Sequence, residues 1–176
     1  MKRKKSFSIW QGKEVVFPDS IVFTRYATDT VDYQIKESEY KIVVYVDSTG
    51  CTSCKLRLLQ WKEFITYIDS LTNEEVPFLF FFYPKDYEEM HYLLDIDSFY
   101  YPICIDVNDN LNRLNQFPAD VSFQTFLLDK NNTVVLVGNP ILHPRIKGLY
   151  IQQITEGQAR KEQKKRKEAE STNPLK

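Results

Sequence analysis

Cys51 and Cys54, within Cys51-Thr52-Ser53-Cys54, are the residues of this sequence whose types and spacing could carry chemistry. Two thiols three positions apart can close a structural disulfide, supply half of a metal site, or exchange electrons as a dithiol–disulfide couple. The metal option lacks partners: there is no second Cys-x-x-Cys, and His91 and His143 are not spaced as ligands, so zinc is disfavoured. A redox couple needs neither metal nor organic cofactor, because the electrons reside in the sulfur pair. The third cysteine, Cys104, lies between isoleucines in YPICIDV and reads as a small buried hydrophobe.

The elements around the pair favour the redox option. Residues 41–46 (KIVVYV) form a continuous apolar run, the pattern of a strand covered on both faces. From Cys51 the period changes: Cys54, Leu58, Trp61, Ile65 and Ile68 recur at helical spacing, which predicts one helix ending near Leu71. Cys51 then stands at a helix start, beside unpaired backbone N–H groups that favour the thiolate. This makes Cys51 the expected nucleophile. Cys54 begins the apolar stripe, so it is expected to be the more enclosed sulfur and to resolve a mixed disulfide at Cys51.

The remaining pattern supplies a layered α/β architecture. Glu14 to Phe17, Ile21 to Arg25 and Thr30 to Ile35 are β-prone and predict a hairpin or extra edge strands. Residues 76–83 (VPFLFFFY) read as a second buried strand, Asp86 to Leu94 as a short helix, and 101–107 as a third strand. Asn108 to Phe117 predicts a helix with Leu111 and Leu114 inward; Phe123 to Asp129 and Thr133 to Val137 then flank Lys130-Asn131-Asn132 as a hairpin. A helix from Arg145 to about Thr155 leads into a charged run that reads as solvated helix or disorder. These elements predict a mixed central sheet flanked by helices, in one domain over residues 10–155. A β-rich extension occupies 10–35, a basic tail 1–9 and a charged tail 156–176.

Composition bounds the function. The 176 residues are 43% hydrophobic, with 12 Phe, 11 Tyr and 2 Trp against 5 Gly and 8 Pro, which excludes disordered, collagen-like and disulfide-scaffold classes. Residues 1–5 carry four positive charges and residues 156–176 seven positive and four negative, while the 150 between carry 12 positive and 20 negative. A body of net −8 argues against nucleic acid as a partner. Met1 to Lys5 starts like a signal peptide, but Ser6, Ser8, Gln11, Gly12 and Lys13 interrupt the apolar stretch that should follow.

The run KIVVYVDSTGCTSCK resembles the strand, turn and redox motif of thioredoxin-like proteins, and QTFLLDKNNTVVLVG resembles their closing hairpin. Between them, FFFYPKDYEEMHYLLDIDSFYYPICIDVNDNLNRLNQF is similar to the extra helix and strand of the TlpA/ResA branch, exported or membrane-tethered thiol-disulfide oxidoreductases of bacteria. SIWQGKEVVFPDSIVF is similar to what precedes the redox domain in Bacteroidota envelope proteins of that kind. The resemblance implies a thioredoxin-like fold with an N-terminal β extension and an inserted helix and strand. It also implies protein thiols or disulfides as partners, no cofactor beyond the redox-active disulfide, and a cell-envelope or periplasmic setting. Export or a lipid anchor would then need a signal upstream of this sequence, and a chain native from Met1 would stay cytoplasmic.

Several positions depart from that family. Gly50 replaces the usual Trp or small polar residue before the first cysteine, and Thr52-Ser53 lacks the common proline. Tyr45 occupies the place, six before the first cysteine, where many thioredoxins have a buried Asp. Phe123 occupies the place of the cis-proline, and a trans bond is expected there because a non-proline cis peptide costs about 3 kcal/mol. Ser48 lies where a peroxiredoxin has its threonine, but Val44 replaces the proline of that motif, which rejects it. The expected activity is thiol-disulfide exchange. The alternative is a thioredoxin-fold binding or structural module whose cysteine pair is vestigial or structural.

Overall fold

The computed structural model describes residues 10–73 and 76–171. Its centre is β3 (Tyr40–Val46) beside β4 (Phe78–Phe82), paired in parallel with Val44 opposite Phe80. Every residue of FLFFF in β4 is buried. Alternation sends Phe78, Phe80 and Phe82 to one face of the sheet and Leu79 and Phe81 to the other, which is why the run shows no polar period.

Among the described residues the sheet has seven strands, in the order β2-β1-β5-β4-β3-β6-β7. β5 (Ile103–Ile105) runs parallel to β4, whereas β6 (Thr125–Asp129) and β7 (Val134–Val137) form the expected antiparallel hairpin on the opposite side of β3. β1 (Phe23–Arg25) and β2 (Asp29–Val31) pair antiparallel and extend the β5 edge through Thr24 opposite Ile103. The β-rich preface thus supplies two edge strands. Residues 14–17 are not a strand; Glu14 makes an isolated bridge to Thr133, and Val15 N–H donates to the Asn132 carbonyl at 2.9 Å.

One face of the sheet packs against α1 (Thr52–Leu56), α2 (Leu58–Leu71), α3 (Tyr87–Ile96) and α5 (Pro144–Ser171). Trp61 stands edge-on to Phe80, with ring centroids 5.6 Å apart, among the buried side chains of α2. The other face is covered by the N-terminal segment and by α4 (Asn110–Asn115), where Trp10, Phe117 and Phe126 pack together. Leu111 is buried there as expected, but Leu114 is 52% exposed, because α4 spans under two turns and presents only one apolar position inward. Cys104 is a free buried thiol in this second core, with burial and then Asp106 pushing its pKa up to about 11.

The charged C-terminal run prolongs α5, which extends 28 residues as one helix. Gly157 lets that helix lie against Tyr40, whose hydroxyl accepts from Gln153 Nε2 at 2.9 Å and Arg160 Nη2 at 3.2 Å. A Cβ at 157 would press into the Tyr40 ring, with Cζ and the hydroxyl oxygen each at 3.1 Å. Overpacking of this kind costs about 1–3 kcal/mol. Gly157→Ala should therefore lower the urea midpoint of unfolding with an unchanged slope, and an unaltered midpoint would show that α5 does not rest on Tyr40.

Candidate functional site

Cys51 and Cys54 are joined as a disulfide where the chain leaves β3. Gly50, immediately before, has φ +74°, a left-handed conformation that disfavours the larger residues of related motifs. Cys51 is the N-cap of α1: its backbone is extended, and its Sγ accepts the Cys54 backbone N–H at 3.2 Å. Ser53 Oγ lies 3.5 Å from the same sulfur. A thiolate at Cys51 would thus meet an N–H and a hydroxyl from within its own loop. Because α1 is only five residues long, these local donors matter more than any macrodipole.

The single helix predicted over residues 51–71 is interrupted. Arg57 adopts φ 44°, ψ 47°, ending α1 and starting α2; Trp61 N–H donates to its carbonyl at 3.1 Å, and its own Nε donates to the Cys54 carbonyl at 3.3 Å. This break turns α1 away from the apolar stripe. Leu58 and Trp61 remain buried, whereas Cys54 is exposed, as is Cys51. Contrary to expectation, Cys54 is therefore not part of the buried stripe, and the two sulfurs differ by hydrogen bonding. Cys54 borders a cleft of about 330 Å³, lined also by Ser53, Leu56, Arg57, Leu93 of α3 and Asp97 at the C-terminal cap of that helix.

Beneath the pair lies a polar cluster that the sequence reading did not identify. Asp47, just beyond β3, accepts Thr49 N–H at 2.8 Å and the Thr49 hydroxyl at 2.6 Å on Oδ1, which also receives the Lys55 ammonium. Its Oδ2 accepts Gln124 Nε2 at 2.6 Å. Burial alone would push this carboxyl up; the hydrogen bonds from Lys55, Thr49 and Gln124 outweigh it and hold the pKa at about 2, below the ordinary 3.8. Thr52 Oγ1 donates to Glu89 Oε2 at 2.8 Å, tying α1 to α3.

The other singled-out residues divide. Thr52 and Ser53 belong to the site, but Tyr45 faces the opposite core and donates its hydroxyl to Asp109 Oδ1 at 2.6 Å. Burial, then that bond, raises its pKa well above the ordinary tyrosine value, so it stays a neutral phenol. Phe123 ends a 3₁₀ turn (Val121–Phe123) before β6 and packs partly buried on the Tyr45 side, with no cis peptide among the described residues. Its neighbour Gln124 makes the link to the redox loop. Asp47-Ser48-Thr49-Gly50 carries a visible turn signal, and Lys55 is adjacent to the motif, whereas nothing local marks Gln124, 77 positions from Asp47.

No protein-family model and no curated protein matches this sequence. Solved structures do share its fold. The C-terminal domain of a protein from Bacteroides thetaiotaomicron, provisionally described as a thiol-disulfide oxidoreductase, superposes with a TM-score of 0.58 at 14% identity, over 83% of this chain and 96% of that one. A thiol-disulfide oxidoreductase from Bacteroides fragilis gives 0.54 at 10% identity, over 78% and 99%. The thioredoxin domain of a thiol-disulfide oxidoreductase from Bacteroides vulgatus gives 0.54 at 12% identity, over 79% and 96%. The chain therefore has a thioredoxin-like fold, with a Cys-x-x-Cys disulfide at its strand-to-helix junction.

A carboxyl whose folded-state pKa lies below its unfolded value adds stability above the unfolded value and loses it as pH falls towards the folded one. Asp47→Asn should therefore destabilise the protein at neutral pH by about 1.5–3 kcal/mol, the range for hydrogen bonds to charged groups. The gap between variant and parent should close as pH falls from 3.8 towards about 2. Denaturant melts across that window check this, and a pH-independent gap would mean that Asp47 acts only as a packed polar group.

Proposed function

We propose that this protein is a thiol-disulfide oxidoreductase acting on protein disulfides. The observation that carries the reading is the exposed Cys51–Cys54 disulfide in which the Cys54 N–H is already aimed at Cys51 Sγ. In the reducing direction, the Cys51 thiolate attacks a client disulfide, forming an intermolecular bond and releasing one client thiolate. The Cys54 thiolate then attacks Cys51 Sγ, closing the internal disulfide and releasing the second client thiolate; two electrons pass to the client. The reverse sequence oxidises a client dithiol. Cys51 is the nucleophile, because its thiolate is the hydrogen-bonded one, and Cys54 resolves; the sulfur pair serves as the sole redox group.

The sequence resemblance to the TlpA/ResA branch supports a cell-envelope setting, and the described oxidoreductases of Bacteroides that share the fold are consistent with it. A second reading, a binding module with a structural disulfide, draws on one feature: the segment before β6 is a 3₁₀ turn ending in Phe123, where related proteins present proline. Trapping separates them. Cys54→Ser should accumulate mixed disulfides with client proteins through Cys51, and Cys51→Ser should abolish exchange. The Cys51 thiol in the Cys54→Ser variant should alkylate with a pKa below the unperturbed value of about 8.5. A normal pKa together with no trapped client would favour the binding module.

A further inference from the structure

The two sulfurs of the disulfide are unequal leaving groups. The Cys51 sulfur accepts the Cys54 N–H at 3.2 Å and has the Ser53 hydroxyl oxygen at 3.5 Å, whereas no described residue donates to the Cys54 sulfur. An incoming thiolate displaces the better-stabilised sulfur faster, so attack on Cys54 Sγ, with Cys51 leaving, is the favoured way to open the pair from outside. Such attack also needs access. Cys54 is exposed, and it lines the cleft of about 330 Å³ that Cys51 does not line.

That volume lies at the lower end of small-ligand sites, which run from about 300 to 1,000 Å³. Leu58 and Leu93 give the cleft an apolar lining, and Arg57 and Asp97 bring opposite charges to it from the two elements that flank it. Arg57 is exposed and uses only Nε, on the Cys54 carbonyl at 3.3 Å, so its terminal nitrogens stand by the cysteine without a partner among the described residues. Its left-handed backbone suits glycine or asparagine better, so an arginine is held here against conformational preference. Asp97 caps α3 with its backbone N–H and receives Lys62 Nζ on its carbonyl oxygen at 3.0 Å; its carboxylate has no hydrogen bond or ion pair with a described residue. The other charges around the pair have partners: Lys55 holds Asp47, Glu89 accepts from Thr52, and Lys62 serves the Asp97 and Ser98 carbonyls.

One cation and one carboxylate in a single small cleft select a ligand that carries both charges. A simple anion meets repulsion from Asp97 and a simple cation from Arg57. An amino acid fits both, its carboxylate on the guanidinium and its ammonium on the Asp97 carboxylate. The cleft is too small for a folded client, whose contact patch runs to about 800 Å².

We propose that this cleft is a subsite for a zwitterionic low-molecular-weight thiol, a cysteine-like amino acid or short peptide, that reduces the pair at Cys54. The inference rests on the reading of the pair as a redox couple. The thiolate RS⁻ attacks Cys54 Sγ, the Cys51–Cys54 bond breaks, and its electron pair leaves on Cys51 as a thiolate, giving the mixed disulfide Cys54–S–S–R. A second RS⁻ attacks the R sulfur of that bond and releases R–S–S–R and the Cys54 thiolate. Two thiols are oxidised, the protein disulfide gains two electrons, and the protons lost by the two RSH pass to solvent or to the protein thiols. Electrons then enter at Cys54 and leave for a client at Cys51.

The test mixes the oxidised full chain with L-cysteine, with cysteamine, which lacks the carboxylate, or with 3-mercaptopropionate, which lacks the ammonium. Each reduction rate is divided by that thiol's rate with the urea-unfolded chain, which cancels intrinsic thiol reactivity. L-Cysteine should lead both analogues by about threefold or more, the scale of exposed ion pairs, and acid-quenched samples mapped by mass should carry the first adduct on Cys54. Asp97→Asn, whose parent side chain makes no described contact, should remove the lead over 3-mercaptopropionate, and Arg57→Gln the lead over cysteamine. Equal normalised rates for the three thiols, a first adduct on Cys51, or a lead over 3-mercaptopropionate untouched by Asp97→Asn would each overturn the proposal while leaving the redox couple intact. Failure of dithiothreitol to reduce the folded pair would overturn both.

Discussion

The Asp47 carboxylate is the tie on which the redox loop depends. Asp47 stands where β3 ends, and its two oxygens gather a backbone N–H and hydroxyl from Thr49, the ammonium of Lys55 in α1, and the amide of Gln124 before β6. One anion thus ties the end of β3, the turn after it and α1 to the segment before β6, 77 positions away. The side chains of Asp47 and Lys55 are only 13% and 14% accessible, so the pair is shielded from the screening that makes most surface ion pairs ineffective. Breaking one partner of such a pair is costly, because the other charge stays behind with little water to receive it. The disulfide-bearing loop therefore keeps a fixed backbone although α1 is too short to be stable by itself.

Fixing the loop from below leaves the sulfurs free above. The turn at Arg57 detaches α1 from the helix that fills the core, so Leu58 and Trp61 can be buried while Cys51 and Cys54 remain exposed. An exposed disulfide held by a rigid loop suits exchange, which requires in-line approach of an external sulfur to one of the pair. The contact from Thr52 to Glu89 brings α3 to the rim and makes it one wall of the cleft beside Cys54.

The layered fold was legible because its signals are short-range and repeated. VPFLFFFY and KIVVYV announce two-sided burial through their lack of polar residues, and the sheet places both at its centre. The cysteine pair was equally legible, since motif and flanking elements are adjacent in the chain. Three features were not. Arg57 has no sequence mark of a left-handed residue, so an unbroken period-3.6 stripe read as one helix and led to the wrong exposure for Cys54. Gln124 joins the site through a contact across 77 positions of sequence, which no local pattern encodes. Tyr45 was assigned by analogy of position, but strand alternation turns it to the other face, where Asp109 receives its hydroxyl.

The central claim is that Cys51 and Cys54 form a reversible couple, and the most direct measurement is their reduction potential. The full chain is equilibrated in dithiol–disulfide buffers and the thiols counted by alkylation and mass. A single two-electron transition between about −120 and −270 mV, the range of exchange-active thioredoxin-fold pairs, is the predicted result. A potential below about −300 mV, where structural disulfides lie, would contradict it.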